Sequence, residues 1–96
     1  MDTRFETVHN YNELATFDRV SDAVARFPQL SERPDLLADV ACVALNRLPP
    51  RYVRHDIDAR FYMSNEEHAQ NDAAVTAAVE FALDFVLSRA TSSVTK

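Results

Sequence analysis

The sequence predicts a mainly α-helical fold with three principal helices. Apolar residues recur at three- and four-residue spacing in three separate stretches, which is the pattern of amphipathic helices. Proline or helix-capping residues bound each stretch, so the helices are expected at about 11–27, 34–48 and 65–90. The interval at 49–63 lacks this spacing and is expected to be an irregular loop.

Length and composition predict one soluble domain. The chain has 96 residues, of which 47% are hydrophobic and 26% are charged, close to the averages of globular proteins. Residues 1–90 are expected to form this domain, and residues 91–96 a flexible C-terminal tail. The sequence has neither a long uncharged apolar run nor an apolar signal core after its first residues, so we expect a cytoplasmic protein without a membrane segment.

The first helix is predicted from its start signal and its apolar face. Asn10 and Glu13 have the spacing of a capping box, which places the helix start near Tyr11. Pro28 closes the apolar pattern, and His9, which precedes the helix, is expected to face solvent. The residues that share the apolar face are Leu14, Phe17, Val20, Val24 and Phe27.

The second helix is bounded by prolines. Pro34 suits a first helical position, where its missing N–H has no intrahelical partner, and Pro49-Pro50 ends the helix. Asn46 is expected to cap its last turn by hydrogen bonds. Cys42 is the only cysteine, so it forms no intrachain disulfide and is expected to be a small core residue. The apolar seam comprises Leu37, Val40, Ala41, Ala44, Leu45 and Leu48.

The segment before the last helix has mixed signals. Tyr52-Val53 and Phe61-Tyr62 favour short extended pieces within the loop. Ser64 and Glu67 repeat the capping-box spacing, so the last helix is expected to begin near Asn65.

Apolar residues cover more of the circumference of the last helix than packing against a single neighbouring helix requires. One stripe contains Val75, Val79, Ala82 and Val86, while Phe81, Leu83, Phe85 and Leu87 point in other directions. Two arrangements would cover both sets: a fully buried central helix, or a symmetric homodimer packed through this helix. The homodimer suits a chain too short to build a large core of its own.

Composition also excludes several classes of enzyme. The chain contains no glycine, which phosphate-binding loops, dinucleotide fingerprints and nucleophile elbows all require. No spacing aligns a nucleophile with a base, and none of the histidines and carboxylates has a recognised metal-ligand spacing. We therefore expect a protein that is not an enzyme and that carries no metal or cofactor.

Basic residues are concentrated in one short segment, although the chain is acidic overall. The formal charge is −5, yet four of the ten basic residues lie in the arginine segment, residues 47–60, as Arg47, Arg51, Arg54 and Arg60. These guanidinium groups either bind a ligand or simply pair with Asp56 and Asp58 on a solvated loop. Arg47 also suits a helix C-terminus because its charge complements the helix dipole.

A resemblance to a known family favours the interpretation that the arginines bind a ligand. Asp39-Val40 is followed by the run Ala44-Leu45-Asn46-Arg47-Leu48-Pro49-Pro50-Arg51-Tyr52-Val53. This run resembles the D-V, A-L-N and L-P-P-x-Y-V signature of the late competence protein ComFB family. Weaker matches, which extend the resemblance over nearly the whole chain, are Asn10, Glu13, Gln70, Asp72 and Val75.

The resemblance implies a small, mostly helical, dimeric cytoplasmic protein. The family has been linked to cyclic di-GMP binding and to control of competence, motility or cell size. Some relatives carry a cysteine cluster suited to zinc, but only Cys42 lies in the corresponding region here, so a zinc role is not carried over. Many relatives also have glycine a few residues after the Y-V, where this chain has residues 54–58 without one.

A dimeric cyclic di-GMP receptor is therefore the leading hypothesis. Arginine binds phosphate or guanine O6/N7 through two N–H groups and stacks on bases, while a carboxylate accepts from guanine N1–H and N2–H. An aromatic ring supplies a further stacking surface. The predicted ligand-binding residues are Arg47, Arg51, Tyr52, Arg54, Asp56, Asp58 and Arg60.

Two other functions are open at the level of sequence. One is a protein–protein adaptor that docks an acidic partner through the arginine segment without a small molecule. The other is nucleic-acid binding, which the net charge of −5 and the single short basic patch argue against. The sequence does not distinguish cyclic di-GMP from cyclic di-AMP, and the downstream protein of a receptor is unidentified.

Overall fold

The computed structural model describes residues 3–94, and their side chains as far as residue 90. The mainly helical fold is confirmed. Four α-helices follow one another as α1 (Asn12–Asp22), α2 (Pro34–Asn46), α3 (Asp56–Tyr62) and α4 (Asn65–Val94). Short 3-10 turns occupy Phe5–Thr7, Ala23–Ala25 and Pro28–Glu32. The strands β1 (His9–Asn10) and β2 (Tyr52–Val53) pair antiparallel, with His9 opposite Val53 and Asn10 opposite Tyr52.

Helix α1 is shorter than predicted. It is also rotated about its axis relative to the prediction, so that it buries a different face. The α-helix gives way to a 3-10 turn at Ala23, so the predicted α-helix to Phe27 is wrong in its last part. Leu14 and Phe17 are 61% and 43% exposed rather than in the core, where they were predicted. The residues that α1 buries are Asn12, Thr16 and Val20.

A buried polar contact accounts for this rotation. The Nδ2 group of Asn71 on α4 donates to Oδ1 of Asn12 at 3.0 Å. A buried amide requires a partner, so this hydrogen bond fixes the side of α1 that meets α4. Thr16, one turn further along the same face, is fully buried, and its hydroxyl has no hydrogen-bond partner within the described residues. The buried face of α1 is thus more polar than hydrophobic periodicity alone predicted.

Helix α2 follows its prediction closely. Pro34 is its first residue, and Asn46 Nδ2 donates to the carbonyl oxygen of Cys42 at 2.9 Å, which caps the last turn as expected. Cys42 itself is exposed, so its predicted place in the core is wrong. It lies on the face of α2 opposite the buried seam. Of the predicted seam, Leu37 and Leu45 are half-buried, and the fully buried members are Val40, Ala41, Ala44 and Leu48.

Helix α3 lies inside the segment predicted to be an irregular loop. Tyr52-Val53 is extended as predicted, but Phe61 and Tyr62 are helical, so their predicted extended conformation is wrong. Asp56 and Asp58 in the first turn and Arg60 in the last complement the helix dipole, which favours a helix locally. Apolar periodicity did not predict this helix, because it buries only one apolar residue, Ala59, and has no buried apolar stripe.

Helix α4 forms the centre of the molecule. It begins at Asn65, as predicted, and Ser64 Oγ accepts the N–H of Glu67 at 3.1 Å. Its 30 residues make it about 45 Å long, and it continues past the predicted end near Ala90 to Val94. The rest of the predicted flexible tail, residues 95 and 96, lies outside the described residues.

Helices α1 and α2 cover much of α4. The predicted stripe is buried, but so is Leu83, which has 2% of its surface exposed. Of the other apolar residues on α4, Phe85 and Leu87 are half-buried and Phe81 is 41% exposed. A partly exposed aromatic strip therefore remains on α4, and the homodimer through this helix stays a prediction. No helix within residues 3–94 combines the length and apolar character needed to cross a bilayer.

Replacing Leu83 with alanine should destabilise the domain strongly. The side chain is almost completely buried in the core, so its loss leaves a cavity and should lower the free energy of unfolding by about 2–5 kcal/mol. Urea unfolding followed by circular dichroism measures this change. Leu14→Ala is the matched control, since Leu14 is 61% exposed and should change stability by less than about 0.5 kcal/mol. Equal effects of the two substitutions would contradict the assigned core.

Candidate functional site

The residues that follow Pro49-Pro50 are held against the start of α1. The N–H of Tyr11 donates to the carbonyl oxygen of Arg51 at 2.6 Å. Asn10 Oδ1 accepts the N–H of Asn12 at 3.1 Å and also the N–H of Arg51 at 3.4 Å. The predicted capping box of Asn10 and Glu13 is wrong, because Tyr11 is the N-cap of α1 and no side chain caps that position. With the β1–β2 pairing, these bonds fix the backbone at residues 51–53 and leave the side chains of Arg51 and Tyr52 exposed.

His9 ties β1 to the first residue of α3. Its Nε2 lies 2.6 Å from Oδ1 of Asp56, and its Nδ1 lies 2.9 Å from the carbonyl oxygen of Thr7. Both ring nitrogens therefore face acceptors, which the doubly protonated imidazolium satisfies best. The hydrogen bond to Asp56, followed by that to Thr7, raises the pKa of His9 above its ordinary value of 6.5. The expectation that His9 faces solvent is wrong, because its side chain is half-buried in this contact.

Arg47 lies against an aromatic ring of α4. It is the C-terminal capping residue of α2, as expected, and its Cζ lies 3.7 Å from the centroid of the Phe81 ring. A guanidinium group stacked on a ring keeps its N–H groups available at the edge. The Phe81 contact was not predicted, although Phe81 was one of the residues pointing away from the buried stripe.

The side chains of Arg51, Arg54 and Arg60 are exposed. Within residues 3–94, none of the three makes a hydrogen bond or ion pair through its guanidinium group. The solvated-loop interpretation paired them with Asp56 and Asp58, but Asp56 bonds to His9 instead. These arginines retain their full capacity to bind an anion.

Asp56 and Arg60 meet in a cavity between helices. They lie one helical turn apart on α3 and line a cavity of about 240 Å³ between α1, α3 and α4, termed here the α3 cleft. The opposite walls are formed by Tyr11, by the α1 helix that follows it, and by the first turns of α4. The polar residues that line the cleft are Tyr11, Asp18, Asp56, Arg60, His68, Asn71 and Asp72.

The remaining predicted residues lie outside this cavity. Tyr52 on β2 is 69% exposed, and Val53 beside it is half-buried. Asp58 is exposed on α3. The predicted residues thus fall into three groups: Arg47 against Phe81 of α4, the exposed side chains of Arg51, Tyr52, Arg54 and Asp58, and the pair in the α3 cleft.

A second groove was not predicted from the sequence. It has a volume of about 520 Å³ and lies between α2 and the later turns of α4. Phe85, which stacks on Phe81 with ring centroids 5.8 Å apart, lies at this groove, and Arg89 lies over the Phe85 ring at 4.3 Å. The four-residue spacing of Phe81, Phe85 and Arg89 was visible in the sequence, but only the packing of α2 brings Cys42 and Arg47 beside it.

The described residues give no metal centre. Among residues 3–94, no group of three or more histidine, cysteine, aspartate or glutamate side chains has a geometry that could hold a metal ion.

Fold and site together define a small helical protein with a β1–β2 clasp, an exposed arginine segment and a polar interhelical cleft. The model of the late competence development protein ComFB family matches residues 9–90. The chain belongs to the ComFB family. Searches of curated proteins and of solved structures found no match to this chain.

The His9–Asp56 contact should make stability depend on pH. The pKa of His9 is raised in the folded state, so its stabilisation is fully present below the ordinary value of 6.5 and is lost as the pH rises through the folded-state pKa. The difference in unfolding free energy between the wild type and His9→Gln should therefore be largest near pH 6 and should shrink toward about pH 9. Chemical denaturation across this range measures it.

His55→Gln provides the matched control, because His55 is exposed and its side chain makes no hydrogen bond within the described residues. A difference for His9→Gln that stays constant with pH would show that the imidazolium is not the stabilising form.

Proposed function

We propose that this protein is a non-enzymatic, cytoplasmic receptor for cyclic di-GMP that acts as a dimeric regulatory module. The observation that carries the proposal is the set of exposed guanidinium groups of Arg51, Arg54 and Arg60, which no carboxylate of the described residues engages. Membership of the ComFB family agrees with it, because the signature of that family includes this segment.

The chemistry of the ligand matches these groups. Cyclic di-GMP presents two phosphates and two guanine bases, and arginine binds both kinds of group through paired N–H donors. Tyr52, at 69% exposed, offers a ring on which a base can stack. Arg51 is the best-positioned phosphate ligand, since its backbone is bonded on both sides, to Asn10 and to Tyr11. A fixed backbone lowers the entropy lost when the side chain binds.

The aromatic strip on α4 supports the proposed homodimer. Phe81 and Phe85 stack on each other and are partly exposed, as an interface through the last helix would require. Arg47 lies over Phe81, so a dimer formed through this strip would bring Arg47 of each subunit to the interface. A two-fold symmetric ligand would then meet equivalent arginines from both subunits.

Calorimetric titration with cyclic di-GMP tests both parts of the proposal. We expect saturable binding that weakens with salt, with one ligand for every two chains. Arg47→Ala and Arg51→Ala should each weaken binding at least about ten-fold, the loss expected for a hydrogen bond to a charged group. Arg33→Ala is the control, because Arg33 lies at the other end of α2 and is held by Asp35. Absence of heat at high protein concentration would refute the receptor.

A protein–protein adaptor is the second candidate, and α3 is the observation that favours it. Three apolar side chains of this short helix are more exposed than a monomer requires: Ile57 at 71%, Phe61 at 85% and Tyr62 at 84%. They lie beside the unpaired arginines, a combination that suits an acidic partner segment with apolar residues. In this function, the arginines would bind carboxylates of the partner and no small molecule would be involved.

Affinity capture with the immobilised protein separates the two candidates. An adaptor should capture the same partner with and without cyclic di-GMP, and Phe61→Ser should abolish capture because it removes the most exposed aromatic ring of α3. Phe17→Ser on α1 serves as the control for a general loss of apolar surface. Capture that depends on the nucleotide would instead favour the receptor, with α3 as its output surface.

A further inference from the structure

We infer that the α3 cleft is the base-recognition pocket of the receptor and takes one guanine of the ligand. This inference rests on the proposed function and assigns a part of the ligand to a part of the molecule. It also assigns a role to Asp18 and Asp72, which lie far from the arginine segment in the sequence and were not among the predicted ligand residues.

The size of the cleft suits one base. Its volume of about 240 Å³ lies below the range of about 300–1,000 Å³ that is usual for pockets enclosing a whole drug-sized ligand. A cyclic dinucleotide does not fit inside it, but a single purine does. The sugar and phosphate groups would therefore stay at the mouth of the cleft, outside the protein.

The polar groups of the cleft match the edges of guanine. Asp56 is engaged by His9, whereas the carboxylates of Asp18 and Asp72 make no hydrogen bond or ion pair within the described residues. A free carboxylate only accepts hydrogen bonds, and guanine offers two adjacent donors, N1–H and N2–H. The guanidinium group of Arg60, also without a partner within residues 3–94, supplies the donors that guanine O6 and N7 accept.

The same groups disfavour adenine. Adenine presents an acceptor at N1 where guanine presents a donor, so a carboxylate facing that edge would be repelled by the lone pair. Adenine also has a donor amino group in place of the O6 acceptor that Arg60 would bind. The cleft therefore predicts a preference for cyclic di-GMP over cyclic di-AMP, a choice that the sequence left open.

The mouth of the cleft connects to the arginine segment. Tyr11 lines the cleft, and its N–H donates to the carbonyl oxygen of Arg51 at 2.6 Å. The unpaired guanidinium group of Arg51 thus starts from backbone adjacent to the cleft, where the phosphates of a bound dinucleotide would lie. Each subunit has one cleft and the ligand has two guanines, which agrees with one ligand bound by two subunits.

His9 acts as a positioning residue for this pocket. Its bond to Asp56 attaches the start of α3 to β1, and His68 Nε2 donates to the carbonyl oxygen of Arg60 at 3.1 Å near the other end. These two contacts set the distance of α3 from α1 and α4, and hence the width of the cleft.

Titration of Asp18→Asn and Asp72→Asn with cyclic di-GMP and with cyclic di-AMP tests the inference. An amide is a weaker acceptor than a carboxylate and offers a donor to adenine N1, so each variant should bind cyclic di-GMP about ten-fold more weakly and should lose its preference over cyclic di-AMP. Both aspartates are exposed and unpaired, so neither change removes a structural contact. Asp84→Asn, on an exposed position of α4 outside the cleft, is the matched control.

The outcomes separate this inference from the proposed function. Wild-type affinity and preference in both cleft variants would overturn the pocket and leave the receptor intact, with the bases bound elsewhere. Absence of cyclic di-GMP binding by the wild type would overturn both. Loss of binding in Asp84→Asn as well would also overturn the pocket, because the loss of affinity would then depend on the net charge of the protein and not on groups in the cleft.

Discussion

The clasp between residues 9–11 and residues 51–53 is the constraint on which the position of the candidate site depends. Two strand pairs and the bonds of Asn10 and Tyr11 to Arg51 join segments about forty positions apart in the chain. Without this clasp, the chain between Pro49-Pro50 and α4 would have only the small contact surface of α3 to hold it. The bond from His9 to Asp56 extends the clasp to α3. The backbone at residues 51–53 is therefore held against β1, while the side chains of Arg51, Tyr52 and Arg54 remain exposed.

Two sets of arginines differ in whether a carboxylate holds them. Arg26 and Arg33 are each held by both oxygens of a carboxylate, Glu80 and Asp35 respectively, and so contribute to the fold at the surface. The arginines at 51, 54 and 60 lack such partners within the described residues, although the chain is acidic overall.

Helix α3 links the three features of the proposed receptor. It carries two residues of the cleft, it contains the last part of the arginine segment, and it exposes an apolar face. Its attachment to the rest of the fold is light, since it buries only Ala59 and is tethered by the contacts of His9 and His68. An element of this kind responds to small changes in the groups that hold it, because few buried contacts oppose its movement. Helix α3 would therefore take part in both ligand binding and partner binding.

The sequence by itself determined the helical class, the bounds of α2, the start of α4 and the buried stripe on α4. These follow from apolar periodicity, proline and capping residues, which act over a few neighbouring positions. It also located the arginines and suggested the ligand through the resemblance of residues 39–53. It did not determine the rotation of α1, the exposed place of Cys42, helix α3 or the partners of His9, Arg47 and Asp56. The rotation of α1 and the partners of His9, Arg47 and Asp56 depend on contacts between residues distant in the chain, such as Asn12 with Asn71 or Arg47 with Phe81, and only tertiary packing creates such contacts.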